Sequence, residues 1–389
     1  MEKLHFTKEQ VSKILEEFAK SSGSFEAVMK LCLETLMKGE REVHNDMYGD
    51  LSNGYRLRKT YGKGKMLELK VPRSRYGQFY PVILGLLKDE EEECRKLAYS
   101  LYGAGLTTEQ VGEVFEKIYG RSYSSSQVSR MFDYARQEVS QWLDRPLEEY
   151  YPIIYIDAVF IPVRRVDSVS KEAFYTVLSV KPDRTREVLT IANLPTESSQ
   201  GWQEVIGGLK SRGVKEIGLV VCDGLKGIEN AIFEHYPMAR VQLCTVHLER
   251  NVLKHVRPKD KKAVAKEFRE VFRISENKYS KTEARSNWEA FTQKWGRLYS
   301  AIGKMGRKET MEWYFTYLEY DYRIQSMIHS TNWIERLNRD YKRTTRMRGA
   351  LPNPESVILL LGHVAMNRKV YERKIPKLDY EREKFKWEA

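Results

Sequence analysis

Hydrophobic positions in the central third of the chain follow the patterns of buried strands and amphipathic helices. Three apolar, β-branched runs come first, and alternating helical and strand patterns follow them. The predicted elements are strands near 153–161, 173–180 and 187–194, a helix near 199–212, a strand at 216–222, a helix near 225–236, a strand at 239–244 and a helix at 246–256. This order predicts a mixed sheet covered by helices on both faces, which is an α/β fold.

The pattern is helical on both sides of this sheet region. Residues 1 to about 45 predict two helices, the first opened by a capping box at Thr7-Lys-Glu-Gln10. Three helices are predicted from Asp89 to about Leu143, the second starting at Thr107 and the third capped by Ser124-Ser-Ser-Gln127. On the third helix, the residues at inward-facing spacing are Val128, Met131, Phe132 and Ala135. Further helices are predicted over 258–326 and, packed on the sheet, over 354–372.

Composition points to a nucleic acid partner. The 389 residues suit two or three domains, and 66 Lys and Arg against 54 Asp and Glu give a net charge of +12, which favours binding to a polyanion. The longest apolar runs fall well short of the roughly 20 residues that span a bilayer, and we see no signal-peptide pattern. We therefore expect a cytoplasmic protein without a membrane partner. The four cysteines are scattered without a CxxC pair, so we expect them to be reduced.

Two segments have the character of DNA contacts. Between 51 and 80, eight Lys or Arg accompany one acid, Glu68, with tyrosines interleaved; a solvated basic loop is the alternative interpretation. In the helical region that follows, a helix-turn-helix would present the start of its third helix to a major groove, whereas a hairpin that only packs would not. The predicted DNA-binding residues of the two segments are Arg56, Arg58, Arg73, Arg75, Ser125, Ser126, Ser129 and Arg130.

Three acidic residues are candidates for catalysis. Asp157 interrupts a strand predicted to be buried on both faces, where a carboxylate is costly unless it is paired or binds metal. Asp223 stands at the end of a predicted strand, and Glu335 lies on a helix. Each has a structural alternative, since Asp157 could be a buried structural acid, Asp223 could cap a helix, and Glu335 could pair with Arg339. Together they suit two Mg²⁺ ions, or Mn²⁺ in their place, in phosphodiester chemistry.

Basic residues continue along the predicted helix from Glu335 and would hold DNA phosphates beside the metal site. They are Arg336, Arg339, Lys342, Arg343, Arg346 and Arg348. Cys244 and His247 form a C-x-x-H pair where a strand meets a helix. A zinc site needs two more ligands than this pair supplies, so structural support of the active site is the preferred interpretation and metal binding the alternative.

Five motifs in order resemble those of the Mutator-type transposases of bacterial insertion sequences, which belong to the DDE transposases. The resemblance runs from about Asn53 to about Asn367. The motifs are Tyr155-Ile-Asp157-Ala158, Cys222-Asp223-Gly-Leu-Lys-Gly227, Gln242-Leu-Cys244-Thr-Val-His247, Thr331-Asn332-Trp-Ile-Glu335-Arg-Leu-Asn338-Arg339 and Arg348-Gly-Ala-Leu-Pro352. Cys244, His247, Asn332 and Asn338 are signature positions whose role stays open. Trp333 and Arg336 depart from the small residue and the serine that are common there.

The resemblance implies a ribonuclease-H-like catalytic fold with an all-α insertion before the catalytic glutamate. It also implies that Asp157, Asp223 and Glu335 are the metal-binding triad. Such enzymes resemble one another in binding double-stranded DNA at terminal inverted repeats, nicking it with water, and joining the freed 3′-hydroxyl to target DNA. Bringing two ends together suggests a homodimer or larger assembly, and a bacterial source suggests a place on the nucleoid. The alternatives are a transposase-derived DNA-binding regulator without catalysis and a structure-specific nuclease.

These observations divide the chain into six parts. The predicted parts are a helical region at 1–50 that is a candidate for dimerisation, a basic and aromatic DNA-contact segment at 51–88, a helix-turn-helix domain at 89–145, a ribonuclease-H-like catalytic domain at 150–257 and 327–372, an all-α insertion at 258–326, and a charged tail at 373–389.

Overall fold

The computed structural model divides the chain into two compact units, Met1–Tyr134 and Ala135–Ala389. The residues that it describes are 8–9, 11–12, 16, 25–62, 65–77, 79–119, 123–194, 199–224, 227–274, 279–305 and 309–375. The predicted capping box at Thr7 and Gln10 and nearly all of the charged tail lie outside the described residues.

The first unit combines a β-hairpin with helices. Its elements are α1 (Phe25–Tyr48), β1 (Ser52–Gly62), β2 (Lys65–Ser74), α2 (Val82–Gly103), α3 (Thr108–Tyr119), α4 (Ser125–Met131) and the first residues of α5 (Asp133–Asp144). Strands β1 and β2 pair in antiparallel fashion. Leu67, Leu69 and Val71 alternate along β2 and are buried against Met37 of α1, so the period of two that defines a half-buried strand is present.

The structure corrects two expectations for the basic segment. The loop proposed as an alternative for 51–80 is wrong for Ser52–Gly62 and Lys65–Ser74, because these two strands pair in the hairpin. The next helix begins at Val82 rather than at Asp89, since Ile83, Leu84 and Leu87 pack in the same core as the hairpin. Charged residues at the exposed positions of β2 concealed the hairpin in the sequence.

The helices after the hairpin follow the sequence signals more closely. Ser124 and Gln127 form the predicted capping box, and the four residues predicted to face inward from Val128 to Ala135 are all buried. The predicted third helix is interrupted at Phe132, where α4 ends and α5 begins. Helix α3 approaches the start of α4 closely, because a Cβ atom at Gly112 would lie 2.4 Å from the carbonyl oxygen of Tyr123. Only glycine fits at that position.

The second unit is built on a mixed sheet. Its first elements are β3 (Tyr150–Arg164), β4 (Val169–Val180), β5 (Arg186–Leu194), α6 (Ser199–Ser211), β6 (Glu216–Cys222), α7 (Ile228–His235), β7 (Arg240–Leu243) and α8 (Thr245–Lys254). The order across the described sheet is β5-β4-β3-β6-β7. Strands β3, β4 and β5 are antiparallel neighbours, whereas β6 and β7 run parallel to β3. The mixed α/β fold predicted from the sequence is confirmed.

Helices cover both faces of this sheet. On one face, Ile154 and Ile156 of β3 share a core with Trp202 and Ile206 of α6 and with α7. The intervening residues of β3 point to the opposite face, where helix α13 (Asn332–Thr345) packs on β3 and α14 (Pro354–Met366) packs on β5. Strand β3 is thus buried on both sides over most of its length, as the sequence predicted.

Between α8 and α13 the described residues are helical. This segment contains α9 (Lys261–Val271), α10 (Lys281–Gly296), α11 (Ser300–Met305), a 3₁₀ segment (Glu309–Glu319) and α12 (Tyr322–Ile328). Its core is aromatic, with Phe268, Phe272 and Trp288 in contact. The helix predicted over 354–372 is shorter, since α14 ends at Met366 and a 3₁₀ turn occupies Lys369–Glu372. None of the helices in the described ranges is both long and apolar enough to cross a bilayer.

Candidate active site

Asp157 lies in the middle of β3 and points to the face covered by α13. Its side chain is only 8% exposed. The Oδ1 atom accepts a hydrogen bond from the backbone N–H of Ala158 at 2.9 Å, and Oδ2 accepts one from Nδ2 of Asn338 at 2.8 Å. Burial, followed by the nearby charge of Asp223, raises the pKa of Asp157 to about 7. The surroundings of Asp157 therefore supply too little positive charge to stabilise its ionised form.

Asp223 reaches the same place because of strand register. Strands β3 and β6 are parallel, and Ile156 lies opposite Cys222, so the next residue on each strand is Asp157 and Asp223. Asp223 forms an ion pair with Nδ1 of His247, one turn into α8. Burial lowers the pKa of His247, but interactions with Asp223 and Cys244 together outweigh that effect and raise the pKa to about 10. The imidazole is thus held beside the second acid as a cation.

Glu335 is placed by the first turn of α13. The positive end of the helix dipole favours a carboxylate at this position. Its Oε1 lies 3.0 Å from a guanidinium nitrogen of Arg250 and 3.8 Å from Nε2 of His247. Helix α13 therefore brings the third acid to the side chains of Asp157 and Asp223.

The three acids share one cavity of about 370 Å³. They come from β3, from the end of β6 and from α13, so tertiary folding alone brings them together. The residues that line this cavity are Asp157, Ala158, Phe160, Tyr175, Asp223, His247, Arg250, Glu335, Asn338, Arg339 and Lys342. Acidic groups at the centre with cations at the rim form an arrangement suited to divalent ions and a phosphodiester.

The donor set fits hard divalent cations. Three carboxylates converge, and the buried Oδ1 atom of Asn338 meets no hydrogen-bond donor within the described ranges, which leaves another oxygen donor beside Asp157. Mg²⁺ and Mn²⁺ prefer such oxygen ligands. A second grouping exists, because the ligand atoms of Asp223, Cys244 and His247 lie within 4.8 Å of one another. The Cys244 thiol, however, already accepts hydrogen bonds from the backbone N–H and the hydroxyl of Thr331, both at 3.4 Å.

Comparison with known proteins shows the family of this chain. The family model described as "Transposase, Mutator family" matches residues 2–373. The chain belongs to the Mutator family of transposases. The "Transposase for insertion sequence element IS905" of Lactococcus lactis subsp. lactis is 30% identical over 309 residues, which are 79% of this chain and 77% of that protein. The "Probable transposase for insertion sequence element ISRM3-like" of Sinorhizobium fredii is 30% identical over 370 residues, which are 93% and 91%.

A solved structure gives a weaker likeness. The "Drosophila P element transposase strand transfer complex" matches 76% of this chain and 81% of its own, at 13% identity and a TM-score of 0.31. This similarity is too low to support an argument about fold. Membership of the Mutator family rests on the sequence comparisons alone.

In this Mutator-family chain, the C-x-x-H pair contacts Asp223 and the residue that precedes the helix carrying Glu335. Cys244 is buried at the start of α8, and its hydrogen bonds with Thr331 tie that helix to the residue before α13. The backbone N–H of Thr245 adds a hydrogen bond to the carbonyl of His329 at 3.1 Å. His247, one turn later, contacts Asp223. The structural interpretation of the pair is consistent with these contacts.

Replacing Cys244 with alanine should destabilise the chain by about 1–3 kcal/mol, because the N–H and hydroxyl of Thr331, which is 0% exposed, would lose their acceptor. Chemical denaturation of both proteins measures this difference. Cys244→Ser keeps an acceptor and should lose less, while Cys32→Ala on α1 controls for removal of a thiol. Equal stability of Cys244→Ala and the parent chain would show that these hydrogen bonds contribute nothing.

The predicted DNA-binding residues fall into two groups. On α13 and just after it, Arg336, Arg339, Lys342, Arg343 and Arg346 are exposed, whereas Arg348 is half-buried. Of these, Arg339 and Lys342 line the cavity. In the Met1–Tyr134 unit, the side chains of Arg56, Arg73, Arg75, Ser125, Ser126 and Arg130 are exposed, and those of Arg58 and Ser129 are half-buried. Asn332, at the start of α13, is exposed and does not line the cavity, unlike Asn338.

Sequence reasoning missed three residues of the cavity wall, namely Phe160, Tyr175 and Arg250. A signal existed for Arg250, since it follows His247 by three residues on the same helix and therefore shares its face. No comparable signal marked Phe160 or Tyr175, because apolar residues on strands usually belong to the core.

Proposed function

We propose that this chain is a DNA transposase that binds the terminal inverted repeats of an insertion sequence and then cleaves and joins DNA strands. Asp157, Asp223 and Glu335 would hold the divalent ions of this reaction. One observation carries the proposal: the three carboxylates line a single cavity that also receives Arg339 and Lys342 from the exposed basic face of α13. Membership of the Mutator family supports it.

The catalytic fold in this proposal is ribonuclease-H-like, with the helices of 258–326 as an insertion. Three antiparallel strands followed by two parallel strands, with helices on both faces, support this assignment. The position of the helical segment between α8 and α13 also supports it, because the segment separates two of the acids along the chain without separating them in space.

Each part of the cavity has a role in the proposed chemistry. A pair of Mg²⁺ or Mn²⁺ ions would activate the attacking oxygen and stabilise the leaving oxygen. Asn338 holds the Asp157 carboxylate through its 2.8 Å hydrogen bond. Arg339 and Lys342 would bind phosphates on either side of the bond that is cleaved, since guanidinium and ammonium groups form charge-assisted hydrogen bonds with phosphate. The attacking group is water for strand cleavage and a 3′-hydroxyl for strand joining.

In the first unit, the proposed DNA contacts lie on α4 and on the hairpin. Helix α4 starts with a capping box that leaves Ser125 and Ser126 exposed, and Arg130 is exposed in its last turn. These side chains would read base edges as part of a helix-turn-helix, while the exposed arginines of the hairpin would contact phosphates. Because two ends must be brought together, we also propose a homodimer or larger assembly, with residues 1–50 as a candidate contact.

Replacing Arg130 with alanine should reduce discrimination between inverted-repeat DNA and random DNA by about tenfold, because a contact with a base edge contributes about 1–3 kcal/mol of specificity. Affinity for both DNAs, measured by fluorescence anisotropy at matched salt, gives this ratio. Arg136→Ala, on α5, provides a matched arginine control outside the proposed recognition helix. If Arg130→Ala lowers the affinities for inverted-repeat DNA and for random DNA by the same factor, Arg130 contacts only the DNA backbone.

The test of the proposed function uses labelled DNA that carries the terminal repeats of the insertion sequence encoding this chain. Purified protein is incubated with this DNA with and without Mg²⁺, and the strands are resolved on a denaturing gel. A metal-dependent nick at the repeat boundary, followed by joined product, is the expected result. Binding without any product would favour a regulator derived from a transposase, and cleavage without joining would favour a nuclease.

A further inference from the structure

The guanidinium of Arg250 occupies the acidic cavity where a divalent ion would be expected to bind. One of its terminal nitrogens lies 3.0 Å from Oε1 of Glu335, and the other lies 3.5 Å from Oε2, so it approaches both carboxylate oxygens. The first nitrogen also lies 3.1 Å from Nε2 of His247. Arg250 therefore satisfies with its own charge a carboxylate that we assign to metal binding.

The ion pair between Arg250 and Glu335 can open at a small cost in free energy. The side chain of Arg250 is 58% exposed, and ion pairs in contact with solvent contribute little net free energy. Glu335, by contrast, is fixed on the first turn of α13, and His247 is held by Asp223. Of the two cations that face Glu335, Arg250 is the one whose side chain is free to move into solvent or towards a ligand.

Arg250 shares the cavity with two cations that we assign to phosphate binding. It enters the cavity from α8, whereas Arg339 and Lys342 enter from α13. A guanidinium binds phosphate oxygens as readily as carboxylate oxygens, in the same bidentate geometry. A phosphodiester in the cavity would therefore meet cations from two helices as well as the three acids.

We propose that Arg250 is an exchangeable cation of the active site. In the chain without metal, the Arg250 guanidinium neutralises Glu335. When divalent ions bind that carboxylate, the Arg250 side chain moves and its guanidinium binds the phosphodiester being cleaved. This inference rests on the proposed function, since it assumes that the cavity binds both divalent ions and DNA. It makes Arg250 a competitor of the metal and a contact of the substrate.

The proposal predicts opposite changes in two measurements. In Arg250→Ala, Mn²⁺ should bind about threefold or more tightly, because the guanidinium no longer competes for Glu335. Strand cleavage by the same variant should fall by about 100-fold, because a charge that stabilises the reacting phosphate is gone. An arginine that only positioned Glu335 for the metal would weaken Mn²⁺ binding and cleavage together.

The experiment titrates the full-length chain with Mn²⁺ and follows free ion by electron paramagnetic resonance, without DNA. Arg269→Ala is the matched control, since Arg269 of α9 pairs at 3.1 Å with Glu249 of α8, the helix that carries Arg250, but does not line the cavity. This control should leave Mn²⁺ affinity unchanged. Asp223→Asn should abolish the tight binding and so identify the site that is being titrated. Weaker or unchanged Mn²⁺ binding in Arg250→Ala would overturn the proposal.

A second measurement tests the contact with DNA. The phosphate at the cleavage position is replaced by an uncharged methylphosphonate, and the ratio of cleavage rates between the parent chain and Arg250→Ala is compared on both substrates. We expect the ratio to be large on natural DNA and to approach one on the neutral substrate. An equal ratio on both substrates would refute the contact. If the parent chain binds Mn²⁺ but cleaves no DNA, the proposed function fails while the Mn²⁺ comparison still decides whether Arg250 competes for the site.

Discussion

Replacing Asp157 with asparagine should lower strand cleavage and strand joining by about 1,000-fold or more, because the neutral amide cannot replace a buried anionic metal ligand. DNA binding should be nearly unchanged, since Asp157 is 8% exposed and lies at the bottom of the cavity rather than on the basic face of α13. The free energy of unfolding should not fall, because the substitution removes a carboxylate whose charge is opposed by burial and by Asp223. These two results would show that the loss of activity does not come from misfolding.

Three measurements on one preparation check this prediction: strand cleavage on a denaturing gel, DNA affinity by anisotropy and unfolding in urea. Asp183→Asn is a suitable control, because this aspartate binds the backbone N–H and hydroxyl of Thr185 in the β4–β5 turn and does not line the cavity. It should keep full cleavage activity. Cleavage by Asp157→Asn at the parent rate would remove Asp157 from the catalytic mechanism.

Substitutions at Asn338 should also lower strand cleavage strongly, and Asn338→Ala and Asn338→Asp should do so to different extents. Its side chain is buried, and Nδ2 donates to Asp157 at 2.8 Å. Asn338→Ala should lower cleavage by about 10–100-fold, as expected when a partner that orients a metal ligand is lost. Asn338→Asp should lower it further, because a second carboxylate beside Asp157 replaces a hydrogen-bond donor by a like charge.

Mn²⁺ affinity and cleavage rate, measured together, test this order. Asn332 provides the control, since it is the other signature asparagine of α13 but is exposed and does not line the cavity. Asn332→Ala should retain Mn²⁺ affinity. If Asn338→Asp were as active as the parent chain, the hydrogen bond to Asp157 would have no role in holding that carboxylate.

The strands of the second unit were predictable because their burial leaves a clear trace in the sequence. β3 and β4 are buried on both faces, so their residues form long apolar runs, and Asp157 stood out as an interruption. The hairpin of the first unit escaped prediction for the opposite reason. Only one face of β2 is buried, through Leu67, Leu69 and Val71, while charged residues fill the positions between them.

The candidate site was predictable in its acids but not in its cations. Asp157 interrupts one predicted strand and Asp223 stands at the end of another. The register of β3 and β6 places the two residues side by side. The approach of Glu335 depends on how α13 packs across the sheet, which no local pattern encodes. The contact of Arg250 with Glu335 could not be predicted for the same reason, because the two residues are 85 positions apart along the chain.

We expect a divalent ion held by Asp157, Asp223 and Glu335 to contact the reacting phosphate directly. The most direct test replaces a non-bridging oxygen of that phosphate by sulfur and compares strand cleavage in Mg²⁺ with cleavage in Mn²⁺, which accepts sulfur more readily. We predict that one of the two sulfur diastereomers is cleaved slowly in Mg²⁺ and that Mn²⁺ restores its rate. Equal slowing of both diastereomers in both metals, or no slowing in either, would contradict a metal site formed by Asp157, Asp223 and Glu335.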